Sequence, residues 1–300
     1  MGKILIVGPS SQLLGVRIAK LLNIDVITTE TKKFPDGENY LRLNIDDESI
    51  IEGNDVIIIH TTGASVKENQ NARIMELLMM ISSVKRMNAK SIAVVVPYLA
   101  YARQDKIFRP GESKFANVIV RILDSFGIDK FYTVDVHAPE TLNEFSIPAK
   151  NLDPMPLLAS YIKSMGLKDP VVIAPDKGAV ARSERFAEHI GNEIKVHYFS
   201  KERDVRTGEV EMFADVDLAG KDAVIADDII ATGGTMANAI KIAKKCGANK
   251  IIAVGTHALL LENASYRILN AGADEIIGTD SIESPVSKVS LAELIAKELK

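Results

Sequence analysis

Residues 223–235, AVIADDIIATGGT, constrain this chain more than any other stretch. Four apolar residues run into two adjacent aspartates, Asp227 and Asp228. After Ile229, Ile230 and Ala231 comes Thr232-Gly233-Gly234-Thr235, and a helical pattern follows over 236–246. A short apolar run, a turn and then a helix make a parallel strand entering a βα loop. Ligands of open α/β sheets bind outside the carboxyl ends of such strands. Gly233 and Gly234 carry no Cβ, so the backbone can turn tightly and approach a ligand closely. The hydroxyls of Thr232 and Thr235 then join free N–H groups at a helix N-terminus, which suits a phosphate. Asp227 and Asp228 are acceptors, suited to vicinal hydroxyls or, through water, to a metal. A phosphate cradle beside paired carboxylates points to a ligand that is both anionic and hydroxylated, such as a sugar phosphate. The plainer alternative is an acidic strand end followed by a Gly-rich turn.

The same pattern recurs along the chain. Apolar runs predict strands over 3–7, 25–29, 55–60, 91–96 and 130–136, and again over 171–174, 195–199, 250–256 and 275–277. Helical spacing predicts helices over 12–22, 71–87, 113–126, 180–190, 262–270 and 290–300, with Ser10 or Ser11 capping the first and Ser113 the third. Met75, Met79, Met80 and Met87 read as core filler. Pro148, Pro154 and Pro156 interrupt the periodicity and mark a domain boundary, and 300 residues fit two domains of ordinary size.

Composition narrows the class. Apolar residues make up 47% and charged residues 25%, as in soluble globular proteins. No apolar run reaches the roughly 20 residues of a membrane span, and the N-terminal apolar run is too short for a secretory signal. The single cysteine, Cys246, excludes an internal disulfide and fits a reducing cytoplasm. A net charge of -4 gives no general attraction to nucleic acid or to an anionic membrane. No Gly-x-x-x-x-Gly-Lys-Ser/Thr loop is present, which argues against a P-loop kinase.

Four further loops carry chemistry. Phe34-Pro35-Asp36-Gly37-Glu38 is a turn, because Pro fixes φ and Gly accepts a positive one. Pro97 to Lys106 places Arg103, a planar fork of donors, beside Gln104 at a strand's carboxyl end. His137 ends a strand, as a structural residue or as a metal or phosphate contact, and Asp176 follows another in Pro-Asp-Lys-Gly-Ala. Residues 200–209 are highly charged and lack apolar anchors, so a mobile hairpin is expected.

The loop 227–235 resembles the phosphoribosyl-diphosphate (PRPP) loop of the type I phosphoribosyltransferase fold. With Phe-Pro-Asp-Gly-Glu and Tyr-Ala-Arg-Gln-Asp it makes the whole chain similar to the ribose-phosphate diphosphokinases, the PRPP synthases. The resemblance implies an α/β protein of two phosphoribosyltransferase-type domains, each a mainly parallel sheet flanked by helices. The expected domains are 1–147, joined by a terminal segment 285–300, and 148–284.

The implied reaction moves the β,γ-diphosphate of MgATP to the anomeric hydroxyl of ribose 5-phosphate, giving PRPP and AMP. Phe34, Asp36 and Glu38 would hold ATP across a subunit interface, so at least a homodimer is implied. Arg103, Gln104, Asp105 and His137 would complete the ATP site, with Mg2+ near His137 and Asp176. Asp227, Asp228, Ala231, Thr232, Gly233, Gly234 and Thr235 would bind ribose 5-phosphate, and Lys201 and Arg203 would be catalytic. Pro110-Gly111-Glu112, Lys177-Gly178-Ala179 and Glu202 depart from the bacterial pattern. They leave ADP regulation and the role of Lys177 open. Two rivals are a phosphoribosyltransferase that uses PRPP and a noncatalytic regulatory homologue.

Overall fold

Runs of Val, Ile and Ala become strands buried on both faces, as a parallel sheet covered by helices requires. The computed structural model describes residues 2–65, 68–191, 194–198, 200–203, 210–213 and 216–300. Residues 204–209 of the expected charged hairpin lie outside the described residues. The chain divides into two compact units, one of residues 1–153, 280–283 and 290–300, the other of 154–279 and 284–289.

The first unit starts with β1 (Lys3–Val7), α1 (Gln12–Leu22) and β2 (Asp25–Ile27). An antiparallel hairpin follows, β3 (Thr29–Lys33) with β4 (Asn39–Leu43). Then come β5 (Asp55–Ile59), α2 (Gln70–Arg86), β6 (Ser91–Val96), α3 (Phe115–Ser125), β7 (Lys130–Val134) and β8 (Ala149–Leu152). The sheet runs β2-β1-β5-β6-β7-β8 with every pairing parallel.

The second unit holds α4 (Met155–Ser164), β9 (Val171–Ala174), α5 (Val180–Ile190) and β10 (Val196–Tyr198). A hairpin again intervenes, β11 (Ser200–Arg203) antiparallel to β12 (Val210–Phe213). The rest is β13 (Asp222–Ile230), α6 (Gly234–Lys245), β14 (Lys250–Ala258), α7 (Ala264–Ala271), β15 (Glu275–Thr279) and β16 (Ser287–Val289). The sheet runs β10-β9-β13-β14-β15-β16, again parallel throughout. Both sheets therefore share one strand order, and each inserts a hairpin between its second and third strands. That likeness fits two related domains. Helix α8 (Ala292–Leu299) belongs to the first unit, where Lys3 Nζ donates to the Leu299 carbonyl at 2.7 Å.

Several expectations need correction. The division falls at 153/154 rather than 147/148, because β8 completes the first sheet by pairing Val134 with Leu152. Residues 284–289 stay with the second sheet, since β16 pairs there with β15, so the returning segment is 290–300 together with 280–283. Ser11 makes no side-chain cap. Its hydroxyl instead accepts the Thr61 N–H at 2.8 Å, tying two loops together. Helix α3 begins at Phe115 with Lys114 at the cap position, so Ser113 does not cap it. Strand β13 runs on through both aspartates to Ile230, because β14 offers partners as far as Ala258.

Candidate active site

Strand β13 presents alternate residues to opposite faces. Ala223 and Ile225 pack toward α6 and α7 with Met236, Ile240 and Ile268. Val224 and Ala226 pack toward α4 and α5 with Met155, Leu158 and Phe186. Beyond Ala226 the strict alternation ends, since Ile230 packs with Ile225 and Met236, and the carboxyls of Asp227 and Asp228 stay close enough to act on each other. Asp228 is 4% exposed and pairs with Arg182 Nη2 of α5 at 3.2 Å. Its Oδ1 accepts the Ile229 N–H at 2.9 Å. Asp227 Oδ1 accepts the Asp228 N–H at 2.9 Å. Burial, and then the charge of Asp228, hold Asp227 well above the usual carboxylate range, with Arg182 pulling the other way.

The loop beyond the acids is held from below. Leu260 and Leu261 donate to the carbonyls of Ile230 and Ala231 at 3.0 and 2.9 Å, and Arg267 of α7 donates to the Thr232 carbonyl. Gly233 has φ +72, and a Cβ there would sit 3.0 Å from Ile268 Cδ1. Gly234 opens α6, and a Cβ there would meet no heavy atom within 4 Å. Thr232 and Thr235 are exposed, beside first-turn N–H groups that a helix leaves unpaired. The expected sugar-phosphate residues Asp227, Asp228, Ala231, Thr232, Gly233, Gly234 and Thr235 thus share one strand end and one helix start. Asp176, at the end of β9 next to β13, accepts the N–H groups of Gly178 and Ala179 through Oδ1 at 2.9 and 3.2 Å. Its Oδ2 takes no hydrogen bond among the described residues. Lys177 is exposed.

In the first unit, the loop after β6 is pinned by two threonines. Thr61 Oγ1 accepts the Tyr98 N–H at 3.1 Å, and Thr62 Oγ1 accepts the Ala100 N–H and donates to the Tyr98 carbonyl, both at 2.8 Å. Arg103 and Gln104 project from this braced loop, both exposed, with Asp105 3.7 Å from Lys106 Nζ. His137 lies exposed beyond β7. The hairpin tip closes when Phe34 N–H donates to the Glu38 carbonyl at 2.9 Å and Asp36 Oδ1 takes the Glu38 N–H at 3.1 Å. Phe34 is 43% exposed, and Lys32 Nζ lies 5.5 Å from its ring centre. In the second hairpin Lys201 and Arg203 lie on β11, opposite Met212 and Val210.

Arg182 and the Thr61–Thr62 pair were missed from sequence. Arg182, Phe186 and Ile190 form an i, i+4, i+8 stripe facing the core, and an arginine on an apolar stripe was the available signal. The threonines gave none, since their partners lie far along the chain.

Fold and site together define a two-domain α/β protein of the phosphoribosyltransferase type. Residues 3–127 match the family described as the N-terminal domain of ribose phosphate pyrophosphokinase, and residues 148–287 match the phosphoribosyl transferase domain. A ribose-phosphate pyrophosphokinase of Methanobrevibacter smithii is 42% identical, over 98% of each chain. That of Methanothermobacter thermautotrophicus is 39% identical, over 99% of this chain and 100% of the relative. The crystal structure of phosphoribosylpyrophosphate synthetase from Mycobacterium smegmatis superposes with a TM-score of 0.85 at 29% identity, covering 100% of this chain and 98% of the other. This chain belongs to the ribose-phosphate pyrophosphokinase family. A phosphoribosyltransferase alone would not account for the first-half match.

Proposed function

We propose that this protein transfers the diphosphoryl group of MgATP to the anomeric hydroxyl of ribose 5-phosphate, giving PRPP and AMP. The observation that carries the reading is the end of β13, where two carboxylates, a left-handed Gly233 and the start of α6 stand in sequence. Gly233, Gly234, Thr232, Thr235 and the backbone at Ala231 hold the 5-phosphate through N–H and hydroxyl donors. Asp227 and Asp228 hold the ring hydroxyls. Arg103, Gln104, Asp105 and His137 bind ATP, with Phe34 of a second copy stacking on the base and Asp36 and Glu38 taking its polar edges. The active form is then at least a homodimer.

The anomeric oxygen attacks the β-phosphorus in line, the bond to the AMP oxygen breaks, and AMP leaves. Such a reaction needs alignment and charge stabilisation more than covalent help. Lys201 and Arg203 place cations on the transferring group. The donor chemistry fits Mg2+, since the Asp176 carboxylate takes the loop N–H groups through Oδ1 alone. Magnesium usually binds through one or two carboxylates, water and substrate phosphates. Asp176 offers such an oxygen, and His137 would act through water. When bound, the ion neutralises the triphosphate charge. No helix of the described residues is long and apolar enough to cross a membrane.

The test is product identity. Purified protein is mixed with ATP, ribose 5-phosphate and Mg2+, and the nucleotides are separated by chromatography. AMP formed in step with PRPP, and only with the sugar present, is expected. ADP in its place would mean single phosphoryl transfer and would overturn the proposal.

A further inference from the structure

We infer that Arg182 is a positioning residue for the ribose hydroxyls, holding the Asp228 carboxylate in the orientation in which it meets the sugar. The inference rests on the ribose 5-phosphate reading above and deepens it. The two acids are adjacent on β13 and their like charges act on each other, so Asp228 needs a partner that holds its charge. Asp228 is buried beside Arg182 of α5. A carboxylate buried there without a partner would be strongly disfavoured. Arg182 supplies the partner at 3.2 Å, with the two side chains only 14% and 6% exposed. The Ile229 N–H holds Oδ1 and the guanidinium holds Oδ2, so both carboxylate oxygens are fixed.

The position of Arg182 supports a reason beyond helix stability. It sits in the first turn of α5, where the helix dipole disfavours a cation. Its guanidinium is instead spent on the acid at the end of β13. Asp227 has different support: it takes the Asp228 N–H, and burial and the charge of Asp228 raise its pKa. The pair therefore offers carboxyl oxygens, one side compensated by Arg182, to two adjacent hydroxyls.

The test compares wild type, Arg182→Met and Arg182→Lys in the full-length enzyme. It reads kcat, KM for ribose 5-phosphate and for MgATP, and inhibition constants for 2-deoxy- and 3-deoxyribose 5-phosphate. Arg182→Met is expected to raise the ribose 5-phosphate KM about tenfold or more, the weight of one charge-assisted contact. The MgATP KM should stay within about twofold, as for an independent site. Lysine keeps the charge without the planar fork, so Arg182→Lys should fall between the two. For the deoxy sugar that lacks the hydroxyl Asp228 meets, the penalty should largely vanish. Equal penalties for all three sugars, or an unchanged ribose 5-phosphate KM, would overturn the inference. Should the methionine variant fail to fold, the lysine variant decides by the same sugar comparison. A wild type that makes no PRPP would overturn the functional reading instead, and this inference with it.

Discussion

The two units share a strand order yet treat the end of their third sheet strand in opposite ways. After β13 the second unit keeps acids and glycines beside an open helix start. After β5 the first unit closes the equivalent place with a buried network. His60 is fully buried, its Nδ1 2.9 Å from Ser10 Oγ and its Nε2 3.0 Å from the Arg73 carbonyl. Arg73 and Glu76 of α2 are buried beside it and joined at 2.8 Å. Even the glycines differ in purpose. A Cβ on Gly8 would lie 2.2 Å from His60 Nδ1, so that glycine serves packing. One fold thus carries either an open candidate site or a structural plug at the same topological point. The carboxyl end of a strand is an opportunity for function rather than a guarantee of it.

The hairpins offer the sharpest way to break this comparison. Both occupy the same slot in the strand order, but only the second carries Lys201 and Arg203. Lys201→Ala should lower kcat about 10^3- to 10^5-fold, as loss of a cation from a transferring phosphoryl group does. Ribose 5-phosphate binding, read by calorimetry, should barely change. Near-normal turnover would remove the hairpin from the chemistry.

Acid should next separate the units by their stability. Burial, and then the charge of Arg73, lower the His60 pKa from 6.5 to about 3. The unfolded chain therefore binds a proton that the fold refuses between those values. The stability His60 contributes is complete above pH 6.5 and is lost as pH falls toward 3, by about 4–5 kcal/mol in all. His60→Gln, which keeps polar partners without titrating, should flatten the acid limb of a plot of melting temperature against pH. An unchanged limb would mean that His60 does not titrate as described. Asp227 has the opposite sign, its folded pKa being raised, so its contribution fades as pH rises above the ordinary carboxylate value. Arg73→Met tests the same plug directly. It strands the buried Glu76 and should cost about 3–5 kcal/mol in urea unfolding, whereas Arg73→Met with Glu76→Leu should recover most of it. Both variants, where folded, should retain their ribose 5-phosphate KM; a raised KM would show that the plug is part of the site after all.

How much of this was readable depended on the range of the interactions. Apolar runs gave 3–7, 91–96 and 171–174 to the residue, because burial on both faces leaves a local signature, and helical spacing gave 180–190. The strands β3, β8 and β16 left little trace: Thr29–Lys33 is polar and largely exposed, and the other two are short. The cap at Ser11 failed for a tertiary reason, since its hydroxyl is engaged by Thr61, 50 residues away. The proposed sugar-phosphate loop could be read because its parts are contiguous. Arg182, 46 positions before Asp228 by 228 − 182, could not.

The smallest predicted effect discriminates most finely within the loop itself. Gly233 and Gly234 looked interchangeable in sequence, but their surroundings differ. Gly233→Ala places a methyl 3.0 Å from Ile268 at φ +72, so it should cost about 1–3 kcal/mol of stability and distort the cradle. At Gly234 a methyl meets no protein atom within 4 Å, and Ala is the better helix former, so stability should hold or rise by up to about 1 kcal/mol. Any penalty of Gly234→Ala must then come from the ligand. A raised ribose 5-phosphate KM with unchanged melting temperature would show that a phosphate approaches the backbone at the start of α6. An unchanged KM would move the phosphate away from this helix start and leave the acids without the cradle that gives them their sugar.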